Sequence, residues 1–325
     1  MANFVIKSAL SLAALASLLA LVPAAPAEAQ NVKSWVANTG SDANDCTLAH
    51  PCATLAHAHD RTNPGGEVGV LTPGDYRVVT PLAIDRSIHI TNDGAGEASI
   101  LQPGSIGVDI QSNLGRGDIV SLRGLVIDGQ GTGQMGIQST GRATLHMQNC
   151  VIRNFVFNGI WFVVSGVLFV SDTIIFNNGS GDGNGGIVLV ADVSSDTRVV
   201  LDRVHLENNT VGLRLDGRNR PGGEIHVVVR DSVISGNSVN GIFALTSPGG
   251  AAFAIIERSS IVGNGQNGML ADGPRATILL KLSTIALNGT GVTTANGGQL
   301  ISYGNNTNTN NFGAEGTATS SLPQM

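Results

Sequence analysis

Asp216 and Asp272 are the two carboxylates whose setting points most directly to acid–base chemistry. Each ends an apolar run that begins with glycine, Gly212-Leu213-Arg214-Leu215-Asp216 and Gly268-Met269-Leu270-Ala271-Asp272. Two carboxyl groups held about 6.5–9.5 Å apart can act as acid and base in the inverting hydrolysis of a glycosidic bond. Arg214, Arg218 and Arg220 fall in the same stretch, 212–223. A planar guanidinium grips a sugar carboxylate through two parallel hydrogen bonds, so these arginines suit an acidic glycan. The candidate catalytic group is therefore Asp216, Asp272 and Arg214, with Arg218 and Arg220 as binding residues. The plainer alternative is that both aspartates open turns, because each precedes a glycine and Asp-Gly favours turns.

Whether two residues so far apart can meet depends on the elements that carry them. From about residue 119 one phrase recurs: an apolar strand, a small or charged pair, a second apolar strand, Asn, then Gly and a third apolar strand. VVVRDSVISGNSVNGIFAL (227–245) and AIIERSSIVGNGQNGMLAD (254–272) are two copies. The anchoring glycines are Gly136, Gly159, Gly186, Gly212, Gly241, Gly268 and Gly291, spaced 23, 27, 26, 29, 27 and 23 residues apart. A period of this size without helical patterning makes each repeat one coil of a β-solenoid.

Aligned coils give columns. Ile152, Ile175, Leu206, Ile234, Ile261 and Ile285 form one, and three others are equally apolar, as expected of side chains entering a continuous core. Gln148, Ser171, Asp202, Arg230, Glu257 and Lys281 form a column in which charge sign alternates, and Asn149, Asp172, Arg203, Asp231, Arg258 and Leu282 form its neighbour. With strands about 4.8 Å apart, each charge lies over its opposite and pins the register. Asn154, Asn178, Asn209, Asn237, Asn264 and Asn288 read as a stacked, structural ladder, allowing one-residue shifts. Cys150 shares a column with small residues and reads as an interior filler. On this register Asp216 and Asp272 share a column two coils apart, about 9.6 Å between backbones.

Composition agrees. Only 13% of the 325 residues are charged and 4% aromatic, and glycine numbers 43, which suits short strands and tight turns. Residues 1–29 read as a signal peptide. Lys7 gives a positive start, an apolar run spans Ala9 to Pro23, and Ala27-Glu28-Ala29 is a small-x-small cleavage site. That run is too short for a membrane anchor, and no later segment is long and apolar enough to span. An exported protein, periplasmic or extracellular, is expected, with Cys46 and Cys52 joined in a disulfide. The formal net charge of -6 argues against nucleic acid or anionic membrane as partners. Residues 30–64 are expected to form an N-terminal cap, with 52–62 a short amphipathic helix. The parallel β-helix is expected over 65–312 and a flexible tail over 313–325.

The repeats, with the opening segment PCATLAHAH…PGGEVGVLTPGDY, resemble the right-handed parallel β-helix proteins of the pectin-lyase-like superfamily across nearly the whole mature chain. The resemblance implies an all-β solenoid. It is specific for fold and weak for activity, since the fold carries lyases, hydrolases, esterases, adhesins and tailspikes. Enzymes of the superfamily typically work on the outer face of the sheet that follows the anchoring glycines. Here that face comprises Gln138, Trp161, Val188, Arg214, Phe243, Leu270 and Thr293 with their neighbours two residues on, and most of it is apolar. The Asn-Thr-Asp, Asp-Asp, Gly-His-Gly and Arg-Ile-Lys motifs of polygalacturonase-like hydrolases are missing, as is an acidic cluster for Ca²⁺. No cofactor or metal is expected. His146, His205 and His226 fall in different columns, and His50, His57 and His59 read as solvated residues of the cap.

Two functions follow. The first is a non-catalytic binding or surface-interaction module whose outer strand face takes a polysaccharide, a protein partner or a second copy, with Trp161 and Phe243 stacking on sugar rings. The alternative is a polysaccharide-active enzyme, an inverting glycoside hydrolase or a lyase, built on Asp216 and Asp272.

Overall fold

The computed structural model describes residues 30–78, 80–163, 165–181 and 183–323; the expected signal peptide lies outside the described residues. Among these residues the chain winds through three parallel sheets of 12, 9 and 10 strands. Each strand pairs with the one a full coil later. Ile234 pairs with Ile261 and Ile261 with Ile285, so the three stack on consecutive rungs as the repeat requires. All the isoleucines and the leucine of this column are buried, as are the two inward columns of the 12-stranded sheet. The core is thus a continuous apolar rod in which like side chains stack at the strand spacing of about 4.8 Å.

Two corners fix the winding. Between the 12-stranded and 10-stranded sheets sit Asn149, Asp172, Arg203, Asp231, Arg258 and Leu282, all at positive φ, between 45° and 53°. A left-handed residue turns the chain sharply. Asn and Asp accept that conformation readily, whereas Arg203, Arg258 and Leu282 adopt it against their own preference. The charged members are held by their neighbours. Arg203 bonds Asp172 at 2.7 Å and Asp202 at 2.6 Å, and Arg258 bonds Asp231 at 2.8 Å and Glu257 at 2.6 Å.

At the second corner the asparagine ladder is real but begins one coil later than expected. Asn178, Asn209, Asn237, Asn264 and Asn288 are buried. Each donates its backbone N–H to the next carboxamide oxygen at 3.0–3.1 Å, ending on Asn311. Asn154 is not a rung. It is the left-handed residue before the ladder, at φ 62°, and Phe155 holds the ladder position, its N–H donating to Asn178. A parallel hydroxyl ladder runs through the Cys150 column, where Val204, Ser232 and Ser259 N–H groups donate to Ser232, Ser259 and Ser283 oxygens. Cys150 is buried there, its thiol pushed up to about 11 by burial, in keeping with a filler.

The ends are more ordered than the sequence implies. Strand β1 (Asn31–Val36), inside the stretch read as cap, pairs with β2 (Thr62–Val70) and begins the long sheet. Between them lie the Cys46–Cys52 disulfide and helix α1 (Leu55–Asp60), which buries Leu55, Ala58 and His59. His59 is therefore not a solvated residue of the cap. Its Nδ1 meets Asp60 at 3.1 Å and its Nε2 lies 3.5 Å from Asp85 on the next coil. The C-terminal stretch, expected as a flexible tail, instead adds a strand. Ser320 and Ser321 pair with Ile301 and Ser302, and Gly291 and Val292 donate to the carbonyls of Ala314 and Glu315. No helix among the described residues is long and apolar enough to cross a membrane.

The ladder predicts a cost for breaking one rung. Asn237→Ala removes the acceptor of the buried Asn209 N–H, and an orphaned buried donor costs about 1–3 kcal/mol. Denaturant unfolding should show a lower midpoint for this variant. A midpoint equal to wild type would mean the ladder is dispensable.

Candidate functional site

The nine-stranded sheet carries the residues singled out from the sequence. Its register sets Gln138, Trp161, Val188, Arg214, Phe243, Leu270 and Thr293 in one outward column. Val190, Asp216, Leu245 and Asp272 form the next. Asp216 and Asp272 are thus two rungs apart, with Leu245 between them.

The face is less open than an apolar stripe implies. Val188 is only 4% exposed and Arg214 5%, while Trp161, Phe243 and Leu270 are half-buried. Arg214 lies over the Phe243 ring, 5.1 Å from its centroid, so its guanidinium covers one aromatic surface that a sugar would use.

Around Asp216 the chemistry is dense. Its Oδ2 accepts from Arg214 Nη2 at 2.9 Å and Arg218 Nη2 at 2.8 Å; its Oδ1 accepts from Arg218 Nε at 3.0 Å and backbone N at 3.1 Å. Burial pushes this carboxyl up, but the bonds from Arg218 and Arg214 outweigh it and hold it below the usual carboxylate range. Arg218 is in turn raised, chiefly by its bond to Asp216, with Asp272 adding a smaller attraction. Asp272 accepts from Asn296 Nδ2 at 2.6 Å. Arg220 sits half-buried in the turn that closes at Gly223. The structure therefore gathers Arg214, Asp216 and Arg218 tightly, sets Asp272 nearby, and leaves Trp161 three rungs from Phe243.

Sequence reasoning missed a second face. On the outward side of the 12-stranded sheet, Val167, Phe169, Val200, Val228, Phe253 and Ile255 line an open groove of about 500 Å³. His146 stacks on Phe169 with ring centroids 4.9 Å apart, and His226 on Phe253 at 5.2 Å. The signal was present in the unbroken apolar runs VVL (199–201), VVV (227–229) and FAII (253–256), where the alternation of a half-solvated strand lapses. Nearby, ligand atoms of Asp196, Glu224 and His226 lie within 4.8 Å of one another. Glu224 there is bonded to Arg275 at 2.7 Å and His226 at 3.2 Å, which commits its carboxylate.

Residues 108–271 match the family described as the right-handed β-helix region. The chain belongs to this right-handed β-helix family. Curated proteins provide no match to the sequence. Among solved structures, this β-helix is similar to the pectate lyase Pel9A, with a TM-score of 0.62 and 17% identity over 92% of this chain and 80% of that one. It is similar also to an alginate lyase from Paenibacillus sp. str. FPU-7, with a TM-score of 0.57 and 15% identity over 90% of this chain and 98% of that one. At such identities the likeness is one of fold.

The arginine clamp makes stability depend on Asp216. A carboxyl depressed in the folded state contributes stability above its unfolded value, about 3.9, and loses it as pH falls through the lower folded value. Asp216→Ala should cost about 3 kcal/mol near pH 7, the low end for removing one partner of a buried ion pair, because it strips the buried Arg214 guanidinium of its carboxylate. The gap between the two proteins in denaturant unfolding should narrow as the pH is taken below about 3.9. A gap that stays constant with pH would mean the clamp contributes nothing electrostatic.

Proposed function

We propose that this β-helix is an exported, non-catalytic binding module for an acidic polysaccharide, which lies along the outer face of the nine-stranded sheet. The observation that carries the reading is the state of Asp216. Both of its oxygens are occupied by arginine donors and its carboxyl is held ionised. A general acid must keep its proton near neutral pH, which calls for a raised carboxyl rather than a depressed one. As a base it would be weak and poorly accessible. The same arginines suit binding. Arg218 is 46% exposed at its side chain; its Nε and Nη2 hold Asp216, so its Nη1 edge, with the half-buried Arg220 two residues on, is what would meet a uronate carboxylate. Trp161, Leu270 and the part of Phe243 that Arg214 does not cover offer half-buried apolar surface along the same column for sugar rings.

The pectate and alginate lyases of similar fold act, by their names, on acidic polysaccharides, which supports the choice of ligand class. The disulfide and the signal-like first 29 residues support export. The competing reading is a polysaccharide-active enzyme, and a specific observation keeps it in view: Asp272 stands two rungs from Asp216 in the same column.

Affinity electrophoresis on polygalacturonate and alginate gels separates the two. Retardation should occur without any new reducing ends or unsaturated products. The paired substitution Trp161→Ala with Phe243→Ala, and Arg218→Ala alone, should each weaken retention about tenfold, the equivalent of about 1.4 kcal/mol. Product formation that disappears in Asp216→Asn or Asp272→Asn would establish the enzyme instead. Retention unchanged in all the binding variants would remove this face as the site.

A further inference from the structure

The outward side of the 12-stranded sheet carries an apolar line one residue wide. Phe169, Val200, Val228, Ile255, Leu279 and Ile301 follow one another on consecutive rungs. Phe169 is 38% and Ile255 41% exposed, so the line is open to solvent. The outward positions of these strands are otherwise largely polar, so at this one column the alternation expected of a sheet with one wet face is broken. A contiguous apolar surface of this kind marks an interface.

The columns beside the line identify the occupant. On one side run Asp202, Arg230, Glu257 and Lys281, and on the other Arg198, His226, Phe253 and Thr277. Farther out, Asp196 pairs with Glu224 and Glu224 with Ala251, and Arg275 follows on the next rung, just before Ala276, the partner of Ala252. We propose that this face docks on a second copy of the chain. The two sheets meet face to face with helix axes antiparallel, about a two-fold axis that runs along the strands between the rungs of Val228 and Ile255.

Reversing the rung order sets Val200 against Leu279 and Val228 against Ile255 of the second copy. It also sets Asp202 against Lys281, Arg230 against Glu257 and Asp196 against Arg275. Every charged position in these columns thus meets its opposite or a neutral residue. Each His226–Phe253 stack meets its own inverted copy. An alternating column is self-complementary only when read backwards over an even number of rungs, and here it has four. The parallel arrangement lacks this property. It matches Asp202 with Arg198 but sets Arg230 against His226. A self-complementary patch is what a two-fold dimer requires, and opposed charges fix orientation.

The face spans six rungs from Phe169 to Ile301, five spacings or about 24 Å, and six residue steps from Asp196 to Asp202, about 20 Å. That amounts to about 500 Å² on each copy and about 1,000 Å² in the pair, near the lower bound for a specific interface. The dimer is accordingly weak and concentration-dependent.

Sedimentation velocity on the purified protein from about 1 μM to about 1 mM covers the range in which a weak complex fills. The sedimentation coefficient should rise from monomer to dimer across the series. Ile255→Glu and Leu279→Glu should stay monomeric throughout, with circular dichroism and an unfolding midpoint like those of wild type, since both side chains point away from the core. Orientation is read with a thiol crosslinker of about 10 Å span, the distance between packed sheets. A mixture of Val200→Cys and Leu279→Cys proteins should crosslink. Val200→Cys alone should not, because its two copies then lie three rungs out of line, about 17 Å apart. The native cysteines do not interfere, since Cys150 is buried and the other two are joined. A monomer at every concentration would overturn the proposal. So would dimerisation of the glutamate variants, or equal crosslinking of Val200→Cys with itself.

Discussion

The backbone bond between a strand and its counterpart one coil later is the constraint from which the rest follows. Because these pairs are parallel and in register, position k of one coil sits over position k of the next, about 4.8 Å away. Side-chain identity therefore becomes a vertical property. An isoleucine needs an isoleucine beneath it, an asparagine needs an asparagine, and an aspartate is best followed by an arginine. The apolar rod, the carboxamide ladder, the hydroxyl ladder and the alternating charges are four answers to that one demand. None requires a contact between distant parts of the molecule, so each coil is stabilised chiefly by its two neighbours.

This explains why so much of the fold was legible. A vertical demand leaves a periodic trace, and the columns through Ile152 and Gln148 could be read from spacing alone. What escaped has a physical reason in each case. The corner residues Arg203, Arg258 and Leu282 were not recognisable as left-handed because their types do not favour it; ion pairs to Asp172 and Asp231 hold the two arginines there. Asn154 imitated a ladder rung, although Phe155 fills that space in its coil. His59 looked solvated because the residue beside it in space, Asp85, is contributed by the following coil. The C-terminal stretch is polar, yet it has unpaired strand edges beneath it to satisfy, and it pairs with them.

The candidate site was half legible. Register predicted that Asp216 and Asp272 share a column, and the structure gives them that arrangement. Register says nothing of side-chain direction, so the closing of Arg214 and Arg218 on Asp216 was invisible. Openness was misjudged for a related reason. Val188 lies between the larger Trp161 and Arg214, and Arg214 folds onto Asp216 and the Phe243 ring, whereas Phe169 and Ile255 on the long sheet stay exposed. Inward and outward are distinguished by alternation, and the long sheet conceals the distinction at one outward column, where Val200, Val228 and Ile255 are apolar like the inward residues beside them.

The odd cysteine gives the fold a bearing on oxidation chemistry. Cys150 is sealed in the hydroxyl column with a thiol that scarcely ionises at neutral pH, so in the finished protein it cannot attack the Cys46–Cys52 bridge. That protection exists only once the coils on either side of it have stacked. Before then the chain carries three competing sulfurs, and which two become joined is a race between pairing across six residues and pairing across about a hundred, which loop-closure entropy awards to the nearer couple. The finished structure agrees with that preference: the near couple is joined and the remaining sulfur is buried in the core.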